Sequence, residues 1–517
     1  MTRLDRWVAA LLGAAALLLY AARLEHTPIY LHDAEILFGL QAHAVATTGH
    51  DVSGRLLPLY FQMRPIGENV WFHPVIVYVT AFFLTVIPFS ESAVRLPSAC
   101  VGALDVALLY VLARQIFERR REAVLAATLL ALTPAHFIHS RIAMDYIYPV
   151  PFVLGWTVGL LAFLKHRRLW MLAAATSLLG IGVYSYIASV VMMPLYLAFT
   201  IVALWRASAL SRRTLVAALG GFVWPLLALP IWLAFHAAVV SETLERYRIG
   251  RTVTRFTSVT GRMSMFWYFW DPVYLFVSGG YANVMNSTRH VGVFVLPLVV
   301  MVVAGIRRLA RRGRSIADGL VLAGFFSAPF AACLAVPEPY AIDREMALLP
   351  FGILIAVWGV RELMEARRTV WPRVATTALA LVPLHFAFFY VDYFTDYRRH
   401  SAIWFELNHR GAMERLVAMS PRESSTPPRI LLPADKDPYM DAYWQFTLAK
   451  LDRGDLRDRT ELYKSGELAS MSIPRGSLVL MRQGDAPVEA LVASGALRQR
   501  AIIEELADPP EFIVLER

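Results

Sequence analysis

Two carboxylates stand out by type and position, Asp33 and Glu35 in Tyr30-Leu-His-Asp-Ala-Glu-Ile36, directly after the first long apolar run. A carboxylate at a membrane border carries a desolvation cost, so its presence points to acid–base work. In a helix that begins near Asp33, positions 33 and 35 lie about 200° apart, so only one of them can face a site unless the helix starts after both. The structural alternative is that Asp33 caps the helix by accepting a backbone N–H. A second acid, Asp145, follows in Pro134-Ala-His-Phe-Ile-His-Ser-Arg-Ile-Ala-Met-Asp145. Two such acids can divide labour, one taking a proton and the other orienting substrate. Arg141, four residues before Asp145, is either its ion-pair partner or a substrate contact. His136 and His139 with Asp145 make only a weak ligand pattern, so no metal is assigned and a divalent cation stays open. Arginines complete the set: Arg246, Arg248, Arg251, Arg255 and Arg262 crowd one segment, and Arg289 and Arg344 precede later apolar runs. Guanidinium forks match phosphate oxygens, which points to an anionic headgroup as partner; lipid-surface anchoring is the equal alternative. Arg344 can also simply pair with Asp343 or Glu345.

The elements that must position these groups are membrane helices. The 517 residues are 57% hydrophobic and 17% charged, against roughly 45–50% and about 25% in soluble domains. The net charge of +10 sits in short basic clusters between apolar runs, the pattern of membrane topology and not of nucleic-acid binding. Two cysteines, Cys100 and Cys333, both inside apolar runs, imply neither a disulfide framework nor a zinc site. Runs of spanning length fall near 7–24, 95–117, 123–139, 147–164, 169–186, 188–205, 214–236, 291–306, 319–336, 347–360 and 374–391, about eleven spans. The first is expected to be uncleaved, with a cytoplasmic N-terminus. Basic clusters at 118–121, 165–168, 206–213, 307–314 and 361–373 then all fall on one side. That parity requires 74–89, short and bounded by prolines, to be a juxtamembrane or re-entrant helix.

The opposite side receives the loops 25–94 and 237–290, the short segments 140–147 and 337–346, and a tail. From about Asp392 the composition turns soluble, with strands expected at 429–433, 477–482, 500–505 and 511–515 and helices at 439–452 and 487–494. The fold class is therefore mainly α: a polytopic helical bundle (residues 1–395) with a small α/β domain (396–517) outside the cytoplasm. Charges gather at one face, and the runs themselves are nearly charge-free apart from Asp105. That favours a surface-facing site over the midplane site of a flippase, transporter or scaffold.

Three stretches carry a resemblance: the acidic pair with Thr48-Gly-His-Asp-Val-Ser-Gly-Arg55, Ser90-Glu-Ser-Ala-Val-Arg-Leu-Pro-Ser98, and Pro134-Ala-His-Phe-Ile-His-Ser-Arg141 with Asp145 beyond. Over residues 1–395 the chain resembles the GT-C superfamily of polyprenyl-phosphate-sugar-dependent glycosyltransferases, in particular the family-39 group related to protein O-mannosyltransferases and lipid A aminoarabinose transferases. It departs from the family's adjacent Asp-Glu in having Ala34 between the two acids, which leaves either acid as the base, with Asp33 favoured. The resemblance implies inverting transfer of a sugar from a polyprenyl phosphate to a hydroxyl acceptor at the outer face of a plasma membrane. It implies Asp33 as base, Asp145 as orienting acid, Arg344 with the loop arginines on the phosphate, and Trp71 and His73 in the cavity wall. A related enzyme using an oligosaccharide diphosphate donor is the nearest alternative.

Overall fold

The computed structural model describes residues 1–63, 70–246, 258–280, 284–311, 315–334, 340–422, 428–506 and 509–517. The chain divides into two compact units. One comprises Met1–Leu24, Trp71–Ile76 and Arg95–Phe394; the other comprises Glu25–Val70, Val77–Val94 and Thr395–Arg517.

The first unit is helical. Among the described residues, seven helices of the chain are long and apolar enough to cross a membrane: Arg3–Ala21, Glu91–Ile116, Pro149–His166, Ser189–Arg206, Arg212–Phe235, Ile316–Leu334 and Val370–His400. The fold is thus the expected helical bundle, but eleven crossing helices are not what the chain forms by this measure. The run 123–139 breaks at Pro134 into helices of 12 and 6 residues. The runs 169–186 and 291–306 contain helices of only 14 residues each, about 21 Å long against a hydrocarbon core of about 30 Å. The run 347–360 lies in the 17-residue helix Leu348–Met364, whose side chains are almost all buried. At 17 residues it is about 26 Å long, just short of the shortest of the seven above. Residues 74–89 form the 11-residue helix Pro74–Leu84.

Glycine sets the closest packing in this unit. A methyl group at Gly359 would lie 1.7 Å from the Met301 carbonyl oxygen, and one at Gly305 would lie 1.9 Å from that of Ile355. Helices Leu298–Arg311 and Leu348–Met364 therefore meet backbone to backbone, the contact small residues permit where no hydrophobic effect drives helices together. The buried Asp5 of the first helix accepts from Tyr110, Arg114 and Arg120 at 3.0, 3.2 and 3.0 Å.

The second unit is α/β. Its five-stranded sheet runs in the order Thr460–Tyr463, Ile430–Pro433, Leu478–Arg482, Phe512–Glu516, Arg498–Ile503. The first three strands are mutually parallel, and Phe512–Glu516 runs antiparallel to both its neighbours, Leu478–Arg482 and Arg498–Ile503. Leu431, Val479, Met481, Val488 and Leu515 fill the core on one face. The edge strand Thr460–Tyr463 escapes the sequence pattern because it is only four residues long and its Glu461 and Leu462 are exposed. Helix Asp33–Thr48 belongs to this unit and packs on helix Met440–Lys450, with Gly39 3.2 Å from the Phe446 ring at its would-be Cβ.

Candidate active site

Each unit holds one of the two expected acids. In the helical unit, Asp145 lies in the turn between helices Pro134–His139 and Pro149–His166 and is almost wholly buried. Burial pushes its carboxyl up to about 8, and the nearby Asp343 charge adds to the effect. Asp343 and Arg344 come from the short turn Ile342–Arg344, and Arg344 Nε stands 3.7 Å from Asp343 Oδ2. Asp343 also accepts from Asn286 Nδ2 at 3.2 Å and from the Tyr186 hydroxyl at 3.4 Å. Next to it, Glu345 accepts from the Tyr274 hydroxyl at 2.8 Å, and full burial raises its carboxyl well above the usual range. Its second oxygen, Oε2, is buried without a hydrogen-bond partner among the described residues.

These groups come from helix ends and turns, the places where irregular backbone is tolerated because it is buried in protein or lines a cavity. They border a narrow cleft of about 30 Å³, walled by Tyr146, Tyr186, Tyr196, Met192 and Met193 and bounded by Asp343, Arg344 and Glu345. Its lining is apolar along the wall and charged at one end, which matches the character of a ligand greasy along its length and anionic at its head.

In the α/β unit, helix Asp33–Thr48 is started by a capping box in which neither member is Asp33. His32 Nδ1 lies 3.2 Å from the Ala34 nitrogen, and Glu35 reaches back to accept from the His32 N–H at 3.0 Å. Glu35 is wholly buried, so its carboxylate closes the helix terminus. Asp33 is left at the first helical position, paired with His32 Nδ1. Burial works against its charge, but the His32 contacts, the Ala34 N–H and the Tyr439 hydroxyl prevail, and its carboxyl is held below the ordinary value. His32 is correspondingly raised: burial opposes its charge, and Asp33, Glu406 and Glu35 outweigh that. Glu406 completes the group and is pushed up by burial and by Asp33. Donor atoms of His32, Asp33 and Glu406 lie within 4.8 Å of one another, a set able to hold a metal ion.

The other expected residues fall as follows. Arg141 is fully buried and donates to the carbonyls of Tyr20, Ala22 and Arg23 at 2.5, 2.6 and 3.1 Å. A guanidinium there caps the C-terminus of helix Arg3–Ala21 and complements its dipole. His136 turns to the Tyr20 hydroxyl at 2.9 Å, and His139 to the Ala135 carbonyl at 2.8 Å. Among the described residues these two histidines form no ligand set with Asp145. His73 is buried, and burial pushes it down to about 3, so it is neutral at physiological pH. Arg289 is exposed, in the left-handed region with φ of 66°. Arg262 donates to the Cys333 and Leu334 carbonyls at 3.2 and 2.7 Å. Arg246 ends helix Ala238–Arg246; its side chain and Arg248, Arg251 and Arg255 lie outside the described residues. Sequence reasoning missed Tyr186 and Glu406, which carry no local signal, and assigned no role to Tyr274 and Asn286. It named Asp343 and Glu345 only as partners of Arg344, although the triplet acid–arginine–acid was there to read.

The comparisons agree on fold. Residues 72–233 match the family profile described as dolichyl-phosphate-mannose-protein mannosyltransferase. No curated protein sequence matches the chain. Among solved structures, ArnT from Cupriavidus metallidurans bound to undecaprenyl phosphate superposes with a TM-score of 0.56 at 11% identity, over 98% of this chain and 97% of that one. The Archaeoglobus fulgidus oligosaccharyltransferase tethered to an acceptor peptide gives 0.53 at 15% identity, over 86% of this chain but 63% of its own length. The same archaeal enzyme with Zn and sulfate gives 0.50 at 14%, over 84% and 61%. The chain thus spans less than two thirds of the archaeal enzyme and nearly all of ArnT.

Proposed function

We propose that this chain, which has the fold of the GT-C superfamily of membrane glycosyltransferases, moves a sugar from a polyprenyl phosphate to a hydroxyl acceptor at the outer face of the membrane, with inversion at the anomeric carbon. The observation that carries the reading is Arg344, set between Asp343 and Glu345 at the charged end of a mostly apolar cleft. At neutral pH Asp33 is the ionised group and acts as the general base. Asp145 is the protonated one and orients the acceptor by donating a hydrogen bond. The acceptor oxygen attacks the anomeric carbon, the bond from that carbon to the phosphate oxygen breaks, and the hydroxyl proton passes to Asp33. The polyprenyl phosphate leaves with its new charge stabilised by Arg344, in a low-dielectric setting where such a contact weighs most. Arg289 and Arg246 assist in binding the donor headgroup, and Trp71 and His73 wall the cavity.

The mostly apolar cleft beside Arg344 and the undecaprenyl phosphate bound in ArnT support a lipid-phosphate donor. A second reading for Asp33 rests on its grouping with His32 and Glu406 and on the zinc named with the archaeal enzyme: the three would hold a divalent cation that binds the donor phosphate. Chelation separates the two, since a metal-free protein keeps its rate in the first reading and loses it in the second. The decisive assay incubates the purified chain in lipid nanodiscs with labelled polyprenyl-phosphate sugars and membrane extract. Transfer moves label onto a non-lipid or new lipid hydroxyl product. A flippase or scaffold leaves it on the original lipid.

A further inference from the structure

The carboxyl edge of the parallel strands in the α/β unit carries a second cluster, separate from the groups above. Strands Ile430–Pro433, Thr460–Tyr463 and Leu478–Arg482 run parallel, and each is followed within three residues by one of Asp435, Ser465 and Asp485. Ligands of open α/β sheets bind outside this edge, where the loops converge.

The three side chains meet. Ser465 Oγ lies 2.5 Å from Asp485 Oδ2 and 3.1 Å from Asp435 Oδ1, and the Ser465 N–H donates to the same Asp435 oxygen at 3.2 Å. A hydroxyl has one proton and can satisfy only one of the two carboxylates. The other contact sets oxygen against oxygen. Asp485 sharpens the problem, because it is 2% exposed and its Oδ1 is buried with no hydrogen-bond partner among the described residues. A buried carboxylate oxygen without a partner is costly. Asp485 also stands at the N-cap of helix Ala486–Ala493 yet makes no side-chain cap hydrogen bond; its carboxylate is turned to Ser465 instead of to the helix amides, its usual partners. Asp435 is exposed, which leaves the cluster a path to solvent.

We infer that Asp435, Ser465 and Asp485 form a binding site for a hard divalent cation at the carboxyl edge of this sheet. Two carboxylates and a hydroxyl, all oxygen donors, suit Ca²⁺ or Mg²⁺ over softer metals, and Ca²⁺ tolerates the irregular geometry of three loops better. The bound ion would supply the missing partner of Asp485 Oδ1, resolve the oxygen–oxygen contact, and tie the three loops together.

The test uses the full chain in detergent, stripped with chelator and titrated with CaCl₂ and separately with MgCl₂, reading the thermal unfolding midpoint. Terbium luminescence excited through tyrosine gives a direct reading, since Tyr463 ends the adjoining strand. A saturable rise in the midpoint is expected, with affinity falling at least tenfold in Asp485→Asn and in Asp435→Asn. The same response is expected to persist in Asp33→Asn, which separates this site from the His32, Asp33 and Glu406 group. Asp435 is exposed, so its variant reports on binding even if Asp485→Asn fails to fold. A midpoint indifferent to both ions overturns the proposal, as does undiminished binding in Asp435→Asn or loss of the whole response in Asp33→Asn.

Discussion

Replacing Asp145 by Asn tests the charge state on which its role depends. Burial raises this carboxyl to about 8 from an ordinary value of 3.8. Between those two values the folded protein keeps a proton that the unfolded chain has released. Stability from this group is therefore complete below pH 3.8 and declines as pH rises, until it is exhausted just above pH 8. Asparagine has nearly the same shape and does not titrate. The stability of Asp145→Asn relative to the parent should thus rise with pH, by about 1.4 kcal/mol per pH unit in mid-window and by about 2 kcal/mol in all between pH 6 and pH 8. For a cooperative unit of this size that is on the order of 3 °C in the unfolding midpoint. The assay is thermal unfolding in detergent of both proteins at pH 6, 7, 8 and 9, with the difference plotted against pH. The difference should grow to pH 8 and level off above it. A difference flat with pH would mean that Asp145 is not held protonated, and its assignment as hydrogen-bond donor would fall with it. In transfer assays the same group should give the parent an alkaline limb near pH 8 that Asp145→Asn lacks.

Other substitutions separate chemistry from scaffolding. Arg344→Ala should lower the turnover rate by about 10²–10³-fold, with Arg344→Lys recovering part of it, because the contact proposed is with charge that develops on the leaving phosphate; steady-state rates at saturating donor measure this. Glu35→Ala removes one arm of the capping box at His32 and should cost about 1 kcal/mol of stability, with Glu35→Gln nearly neutral. If Glu35→Gln instead abolished transfer in a folded protein, the base would be Glu35 and not Asp33. Gly359→Leu should prevent accumulation of folded protein, read by size-exclusion chromatography, since even a methyl there meets the Met301 carbonyl at 1.7 Å.

What the sequence disclosed followed the strength of its periodicities. The bundle, the helix beginning at Asp33 and four of the five tail strands were legible because apolar runs and alternation are local. The count of crossing helices was less legible, because apolar runs such as 123–139, 169–186 and 291–306 hold helices of 14 residues or fewer, and run length alone does not fix helix length. The same limit applies to charges. Arg141 closes a helix more than a hundred residues away in sequence, and Glu35 caps its own helix, contacts that the sequence reading did not assign to them. The groups that shape the sites, Tyr186, Asn286, Tyr274 and Glu406, come from turns whose convergence is set by tertiary packing alone.

The account turns on Asp33, and one comparison tests it most directly. Purified parent and Asp33→Asn proteins, matched for folding by their unfolding midpoints, are given the same labelled polyprenyl-phosphate sugar and the same acceptor-containing extract. The expected result is label transferred to a hydroxyl product by the parent and a rate at least 10²-fold lower in Asp33→Asn. Equal transfer by the two proteins would remove Asp33 from the mechanism, and no transfer by the parent from any polyprenyl-phosphate sugar would contradict the proposed activity itself.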